Sequence, residues 1–218
     1  MKISAILVAG GSGSRMGTNI PKQFRPLEGK AVVLYSLEVL LQIPQVEEII
    51  VVCPTQFHTL FDNYPVKFAL PGLQRQDSVY SGLQHVSDTF EWVTIHDAAR
   101  PFITKEMVQK LFDAGKNYGA SSLAMPVKNT LKEVQPNQNV IRTLDRSKVW
   151  EIQTPQLLKK EILQAGFAYA HKHQIAVTDD VSLAELIGHP VHLVASSYQN
   201  IKITTPEDWF FAESFSKI

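Results

Sequence analysis

One cysteine among 218 residues, Cys53, excludes an internal disulfide, so the fold must rest on a packed core in a reducing setting. Cys53 ends the apolar run Glu48-Ile49-Ile50-Val51-Val52, which predicts a small buried side chain and not a nucleophile. Neither charge is in excess. Lys and Arg number 21 and so do Asp and Glu, so no bulk field draws the chain to nucleic acid or to an anionic membrane. No apolar run approaches the ~20 residues needed to cross a bilayer, and Met1-Lys2-Ile3-Ser4 enters a strand without the layout of a secretory signal. These absences predict a cytoplasmic protein with no membrane or nucleic-acid partner. His171, His173, His189 and His192 have no metal-ligand spacing, and clustered cysteines are lacking, so no metal-binding residues are expected. Nor is there a Gly-x-Ser-x-Gly turn to carry a nucleophilic serine.

What is present begins at Ala5-Ile6-Leu7-Val8-Ala9-Gly10-Gly11-Ser12-Gly13-Ser14-Arg15-Met16-Gly17, followed by Pro21-Lys22-Gln23. An apolar run of strand length feeds a glycine-rich loop, and two fixed cations, Arg15 and Lys22, stand seven residues apart beyond it. Glycines let backbone N–H groups approach a ligand closely, and a loop after the first strand is where open α/β sheets bind phosphates. The two cations suit a polyphosphate. A plain turn with two solvated charges would give the same string, since short glycine motifs are not specific. A Walker A loop is excluded by the lack of a Gly-Lys pair. The dinucleotide fingerprint is missed by one residue, and Glu28 lies in a turn where that motif needs an acidic strand end.

Strand-like runs alternate with helical patterns, which predicts an α/β fold with a mainly parallel sheet covered on both faces. Strands are expected at Ile3–Val8, Glu48–Cys53, Val66–Leu70, Trp92–Ile95, Ser121–Val127, Val191–Val194 and Ile201–Thr204. Helices are expected at Val32–Leu41, Asp77–Val86, from the N-cap Thr104 through Lys116, over a long stretch from Pro155 to His173, and after Pro206. Asp179 and Asp180 would suit an N-cap for Val181–Ile187. Between Lys128 and Gln153 the rhythm breaks. Thr130–Val134 and Val140–Leu144 alternate around Gln135-Pro136-Asn137-Gln138-Asn139, a hairpin signal. Such an insertion has little of its own fold to pack on, which predicts one domain over 1–218 with an arm at about 128–153 that docks on a second copy.

Two further clusters fall where strands end. Gly72-Leu73-Gln74-Arg75-Gln76-Asp77-Ser78-Val79 opens a helix and offers N–H groups and the Ser78 hydroxyl for a base or ribose; an ordinary capped helix start reads the same way. His96-Asp97-Ala98-Ala99-Arg100-Pro101 closes a central strand. Asp97 can face a hydroxyl or a magnesium-bound phosphate, and Arg100 can bind phosphate through two donors, unless the two merely pair within one turn. His96 reads as a satisfied structural histidine. Asp145-Arg146, Thr154-Pro155-Gln156, Thr178-Asp179-Asp180 and Asn200-Ile201-Lys202-Ile203-Thr204 are polar groups at element boundaries, each compatible with a cap or turn.

In this order, and with Pro126-Val127-Lys128-Asn129-Thr130, these clusters resemble the 2-C-methyl-D-erythritol 4-phosphate cytidylyltransferase family over nearly the whole chain. The resemblance implies a Rossmann-like nucleotidyltransferase fold, a homodimer joined through the hairpin arm, and transfer of CMP from CTP to methylerythritol phosphate. It implies Mg2+ bound mainly through the CTP phosphates. It carries over Arg15 and Lys22 as the catalytic cations. Arg146 and Lys202 carry over as the groups that position the acceptor, with Asp97, Arg100, Thr130 and Thr154 around it. Gly10, Gly11, Gly13, Gly72 and Ser78 match nucleotide-binding positions. Arg146 lies in the arm, so the resemblance sends it to the partner's site. Pro71, Leu73 and Asn129 depart from the usual family residues, as does Ala195-Ser196-Ser197, which lacks a common glycine. The readings to be set against this one are a ribitol-5-phosphate cytidylyltransferase and a non-catalytic nucleotide-binding regulator, the latter disfavoured by the presence of both cations.

Overall fold

The computed structural model describes residues 1–11 and 20–216. Gly13 and Arg15 therefore lie outside the described residues. Seven strands form one twisted sheet: β1 (Ile3–Val8), β4 (Val46–Val52), β5 (Lys67–Ala69), β6 (Trp92–Asp97), β7 (Ala120–Pro126), β10 (Trp150–Lys159) and β11 (His192–Ala195). Their order is β11-β7-β10-β6-β1-β4-β5. The sheet is parallel except at β10, which runs antiparallel to both β6 and β7. Two short strands, β2 (Pro26–Leu27) and β3 (Lys30–Ala31), pair beside it, and β8 (Lys132–Val134) pairs with β9 (Val140–Thr143) in a separate hairpin. The hairpin residues are exposed throughout, so it extends from the body as an arm.

The alternation of β1 explains why both faces are covered. Ile3, Ala5 and Leu7 enter one core with α1 (Val32–Leu41) and α3 (Lys105–Tyr118), through Leu37, Leu40, Leu111 and Phe112. Ile6 enters the other, with α2 (Arg75–Leu83) and α4 (Lys160–His173), through Val79, Leu83, Leu163 and Phe167. α2 lies unusually close to the sheet at Gly82, where a Cβ would sit 2.7 Å from Ile6 Cγ2 and 2.9 Å from Val52 Cγ2. That approach brings the N-terminus of α2 beside the C-terminal ends of β1 and β6. The expected cap of α3 forms, Thr104 Oγ1 accepting from the Met107 N–H, and the helix runs past Lys116 to end at Gly119, at φ 79°. Pro206 opens α6 (Pro206–Phe215) at its first turn.

Four expectations need correction. The stretch from Pro155 to Lys159 is strand and not helix; its apolar residues Leu157 and Leu158 are buried between β6 and β7, and the helix starts only at Lys160. Gln153 and the three residues before it also belong to β10 and the main sheet, leaving the protruding hairpin shorter than 128–153. Ile201–Thr204 is irregular, tied to the body by the Ile203 N–H to the Ala99 carbonyl at 2.8 Å. Neither aspartate is the N-cap of the short α5 (Ser182–Leu186), a place taken by Val181 without a side-chain cap; Asp179 Oδ1 accepts from the Ser182 N–H, and Asp180 turns to Arg75.

Candidate active site

Two cavities open at the C-terminal edge of the sheet and meet at one carboxylate. The first, of about 420 Å³, is walled by Gly10 and Gly11 after β1, Lys22, and the Gly72–Arg75 turn that opens α2. The second, of about 400 Å³, is walled by Arg100, Thr154, Gln156 and Asp179. Arg75, Asp97 and Lys202 line both.

The glycine positions do different work. A Cβ on Gly10 would lie 2.3 Å from Pro71 Cβ, and one on Gly72 would lie 2.3 Å from Asp77 Cβ, so both need glycine for space. Among the described residues nothing lies within 4 Å of a Cβ on Gly11. Ser78 holds the turn itself: its hydroxyl accepts from the Gly72 N–H and donates to the Gln74 carbonyl, both at 3.1 Å. Leu73 stands fully exposed at the rim. Gln23 pins the other side, its amide donating to the carbonyls of Ala9 at 2.7 Å and Gly11 at 2.8 Å. Lys22 sits in the single 3-10 turn Lys22–Phe24 and is largely buried against the first cavity.

Asp97 is the junction. Arg75 Nε donates to its Oδ1 at 2.8 Å and Lys202 Nζ to its Oδ2 at 2.6 Å. The pairing within one turn is not seen; Arg100 Nη1 instead donates to the Asn200 carbonyl at 2.7 Å. Burial alone would raise the Asp97 carboxyl, but Arg75, Lys202 and Arg100 outweigh it and hold the group well below the usual carboxylate range. Arg75 also grips Asp180 through two parallel bonds of 2.9 and 2.7 Å. Burial raises the Asp180 carboxyl, opposed by Arg75 and reinforced by Asp97 and Asp179.

His96 is fully buried and hydrogen-bonded at both ring nitrogens. Nε2 faces the Arg100 carbonyl at 3.1 Å; a carbonyl only accepts, which puts the ring proton there. Nδ1 then accepts from the Thr154 hydroxyl at 3.0 Å, and that same oxygen accepts from the Asp97 N–H at 3.0 Å. Burial pushes the His96 imidazole down to about 4, so it is neutral in this chain of bonds. The structural reading of His96 holds.

Thr130 and Arg146 fall apart from the rest. Both are exposed near the base of the arm and line neither cavity, and Arg146 Nη1 donates to the Lys128 carbonyl at 2.7 Å. The residues that sequence reasoning left without a role are Arg75, Gln23, Gln156 and Asn200. Gln156 Oε1 accepts from the N–H groups of Asp180 at 2.7 Å and Val181 at 3.0 Å.

This geometry can be set beside known proteins. A sequence model of the 2-C-methyl-D-erythritol 4-phosphate cytidylyltransferase family matches residues 3–217. The chain belongs to this family. A relative of that name in Chlamydia pneumoniae is 46% identical over 214 residues, covering 98% of this chain and 99% of its own. The chloroplastic protein of that name in Oryza sativa subsp. japonica is 43% identical, covering 97% of this chain and 73% of its own. Among solved structures, the 4-diphosphocytidyl-2C-methyl-D-erythritol synthase of Anaerococcus prevotii superposes with a TM-score of 0.88 at 29% identity, covering 100% of this chain and 99% of that one. The Francisella tularensis family member gives 0.86 at 30% identity, covering 98% and 99%. The fold is thus the Rossmann-like nucleotidyltransferase fold, with a seven-stranded, mostly parallel sheet flanked by helices. Among the described residues no helix is long and apolar enough to cross a membrane.

Proposed function

We propose that the chain transfers CMP from CTP to 2-C-methyl-D-erythritol 4-phosphate, giving 4-diphosphocytidyl-2-C-methyl-D-erythritol and pyrophosphate in non-mevalonate isoprenoid precursor biosynthesis. The observation that carries this reading is the pair of cavities meeting at Asp97 with Lys22, Arg75, Arg100 and Lys202 around them, in a chain of this family. CTP takes the first cavity, its base and ribose near Gly10, Gly11, Gly72 and Ser78, its phosphates toward Lys22. The acceptor takes the second, among Asp97, Arg100, Thr154 and Lys202.

An oxygen of the acceptor phosphate attacks the α-phosphorus, that P–O bond forms, and the bond to the oxygen bridging to the β-phosphorus breaks as pyrophosphate leaves. A phosphate monoester has a second pKa of about 6, so it is largely dianionic at pH 7 and needs no general base. Catalysis is then the joining of two repelling anions and the stabilising of charge at phosphorus, which Arg15 and Lys22 supply. Mg2+ keeps several waters and rides on substrate phosphates where protein carboxylates are few. Asp97 is the carboxylate of the first cavity, and both its oxygens are already paired, which fits an ion held mainly by CTP. When bound, the ion neutralises phosphate charge.

The arm completes the site in a homodimer. Val134, Val140 and Ile141 leave about half their surface exposed on the hairpin, which suits packing on a second copy. Thr130 and Arg146, which line neither cavity of their own chain, then serve the partner's acceptor. With its one cysteine buried, the chain suits a reducing compartment such as the cytoplasm. The test is a product assay with purified protein, CTP, Mg2+ and methylerythritol phosphate, followed by 31P NMR. Pyrophosphate and a mixed diphosphate are expected in equal amounts; unchanged CTP overturns the reading.

A further inference from the structure

Asn200 is fully buried and lines neither cavity, yet three residues of the acceptor side hang on it. Its side-chain amide donates twice, to Gln153 Oε1 and to the Thr154 carbonyl, both at 3.0 Å. Its backbone carbonyl accepts from Arg100 Nη1 at 2.7 Å. Two residues further on, Lys202 reaches Asp97. Asn200 thus joins the irregular segment 196–204 to β10 and to the turn after β6, three parts of the chain that share no regular backbone pairing at this point.

The grip on Thr154 is two-sided. His96 orients its hydroxyl from one side and Asn200 holds its carbonyl from the other. Arg100 has little else to fix it: its Nε is buried without a hydrogen-bond partner among the described residues, so the bond to Asn200 is the one that sets the plane of its guanidinium. We infer that Asn200 is the positioning residue of the acceptor cavity, setting the geometry of Thr154 and Arg100 for the sugar phosphate while touching no residue that lines the nucleotide cavity. The inference rests on the functional reading above and assigns a division of labour to it. The nucleotide side is pinned independently, by Gln23 on the glycine loop and Ser78 on the Gly72 turn.

The experiment compares wild type with Asn200→Asp, which keeps the shape but turns the double donor into an acceptor facing two acceptors. Initial rates are measured against methylerythritol phosphate at saturating CTP and against CTP at saturating acceptor. Misplacing groups by about 1 Å can cost on the order of a hundredfold, and a smaller shift about tenfold. The expected result is a rise of that size in the KM for the acceptor, with the KM for CTP within about twofold of wild type. A purely structural role would lower kcat through lost folded protein and move neither KM, and that result, or a parallel rise in both, overturns the inference. Should Asn200→Asp not fold, Asn200→Ser, which retains one donor, is read by the same two outcomes. A wild-type protein inactive with methylerythritol phosphate would count against the functional reading itself; an active wild type without the KM split counts against Asn200 alone.

Discussion

Arg75 and Asp97, 22 positions apart, are joined by a 2.8 Å bond from Nε to Oδ1, and the other edge of the same guanidinium closes on Asp180, 105 positions away. One side chain at the start of α2 therefore ties the end of β6 to the loop before α5, at the wall between the two cavities. Burial would lower the Arg75 guanidinium, but Asp180 and Asp97 hold it well above its ordinary value, so it carries its charge at any working pH.

Replacing Arg75 strands the buried carboxylate of Asp180 and leaves Asp97 paired with Lys202 alone. Arg75→Gln is expected to lose about 3–5 kcal/mol of stability, the usual result of removing one member of a buried pair. The sign with pH is also set. A carboxyl raised in the folded state contributes stability below its unfolded value and loses it as pH rises. Without Arg75 the upward push of burial on Asp180 is unopposed, so the deficit must be larger at pH 8 than at pH 5. Urea unfolding at the two pH values measures it, and an equal deficit at both contradicts the assignment.

His96 gives the opposite test. Its folded value of about 4 lies below the ordinary imidazole value of 6.5, so the unfolded chain binds the proton first as pH falls. The stability it protects is complete above pH 6.5 and is lost progressively toward pH 4. About 2 kcal/mol is expected to go between pH 7 and pH 5, and His96→Gln is expected to remove that part of the slope. An unchanged slope in the variant would show that other groups carry it.

Lys22→Ala is expected to cut turnover by about 10²–10³ while CTP binding changes little, because the charge matters most as negative charge builds on the transferring phosphoryl group. Steady-state rates beside calorimetric CTP titration check this. Near-normal turnover would remove Lys22 from the transition state.

Arg146→Ala is expected to raise the KM for methylerythritol phosphate and to leave CTP affinity alone, since a guanidinium fork suits a terminal phosphate. Deleting the hairpin tip is expected to give a monomer in sedimentation with the same acceptor defect. A dimer that survives the deletion contradicts the role of the arm.

The parts of the fold legible in the sequence were those with one strong local signal. Ile3–Val8 and Val32–Leu41 form with the bounds their patterns gave, because an unbroken buried strand and an amphipathic helix each leave a distinct trace. The stretch Pro155–Lys159 misled because a short apolar run is ambiguous between a buried strand and a helix face, and its antiparallel place between β6 and β7 is set by residues 34 to 67 positions off. Much the same holds for the site. Gly10, Gly72 and Asp97 stand at strand ends, where open sheets put ligands. Arg75 and Asn200 act through partners 22 to 105 positions away, and Gln23 through backbone carbonyls 14 and 12 positions back; nothing in their immediate neighbours announces those partners.

The central claim concerns the acceptor, since CTP chemistry is shared by related enzymes. Methylerythritol phosphate and ribitol 5-phosphate share an anionic end, so choice must come from the carbon chain. A methyl branch asks for an apolar contact where ribitol adds a hydroxyl, and a pocket built for one leaves a void or an unpaired group with the other. Ile152 is the apolar side chain that lines the second cavity, whereas Ala98 is wholly buried in the core and Ala99 faces the first. The decisive measurement is kcat/KM for the two acceptors in matched assays with saturating CTP and Mg2+. Clear preference for methylerythritol phosphate is predicted; equal or greater activity with ribitol 5-phosphate would contradict the assignment.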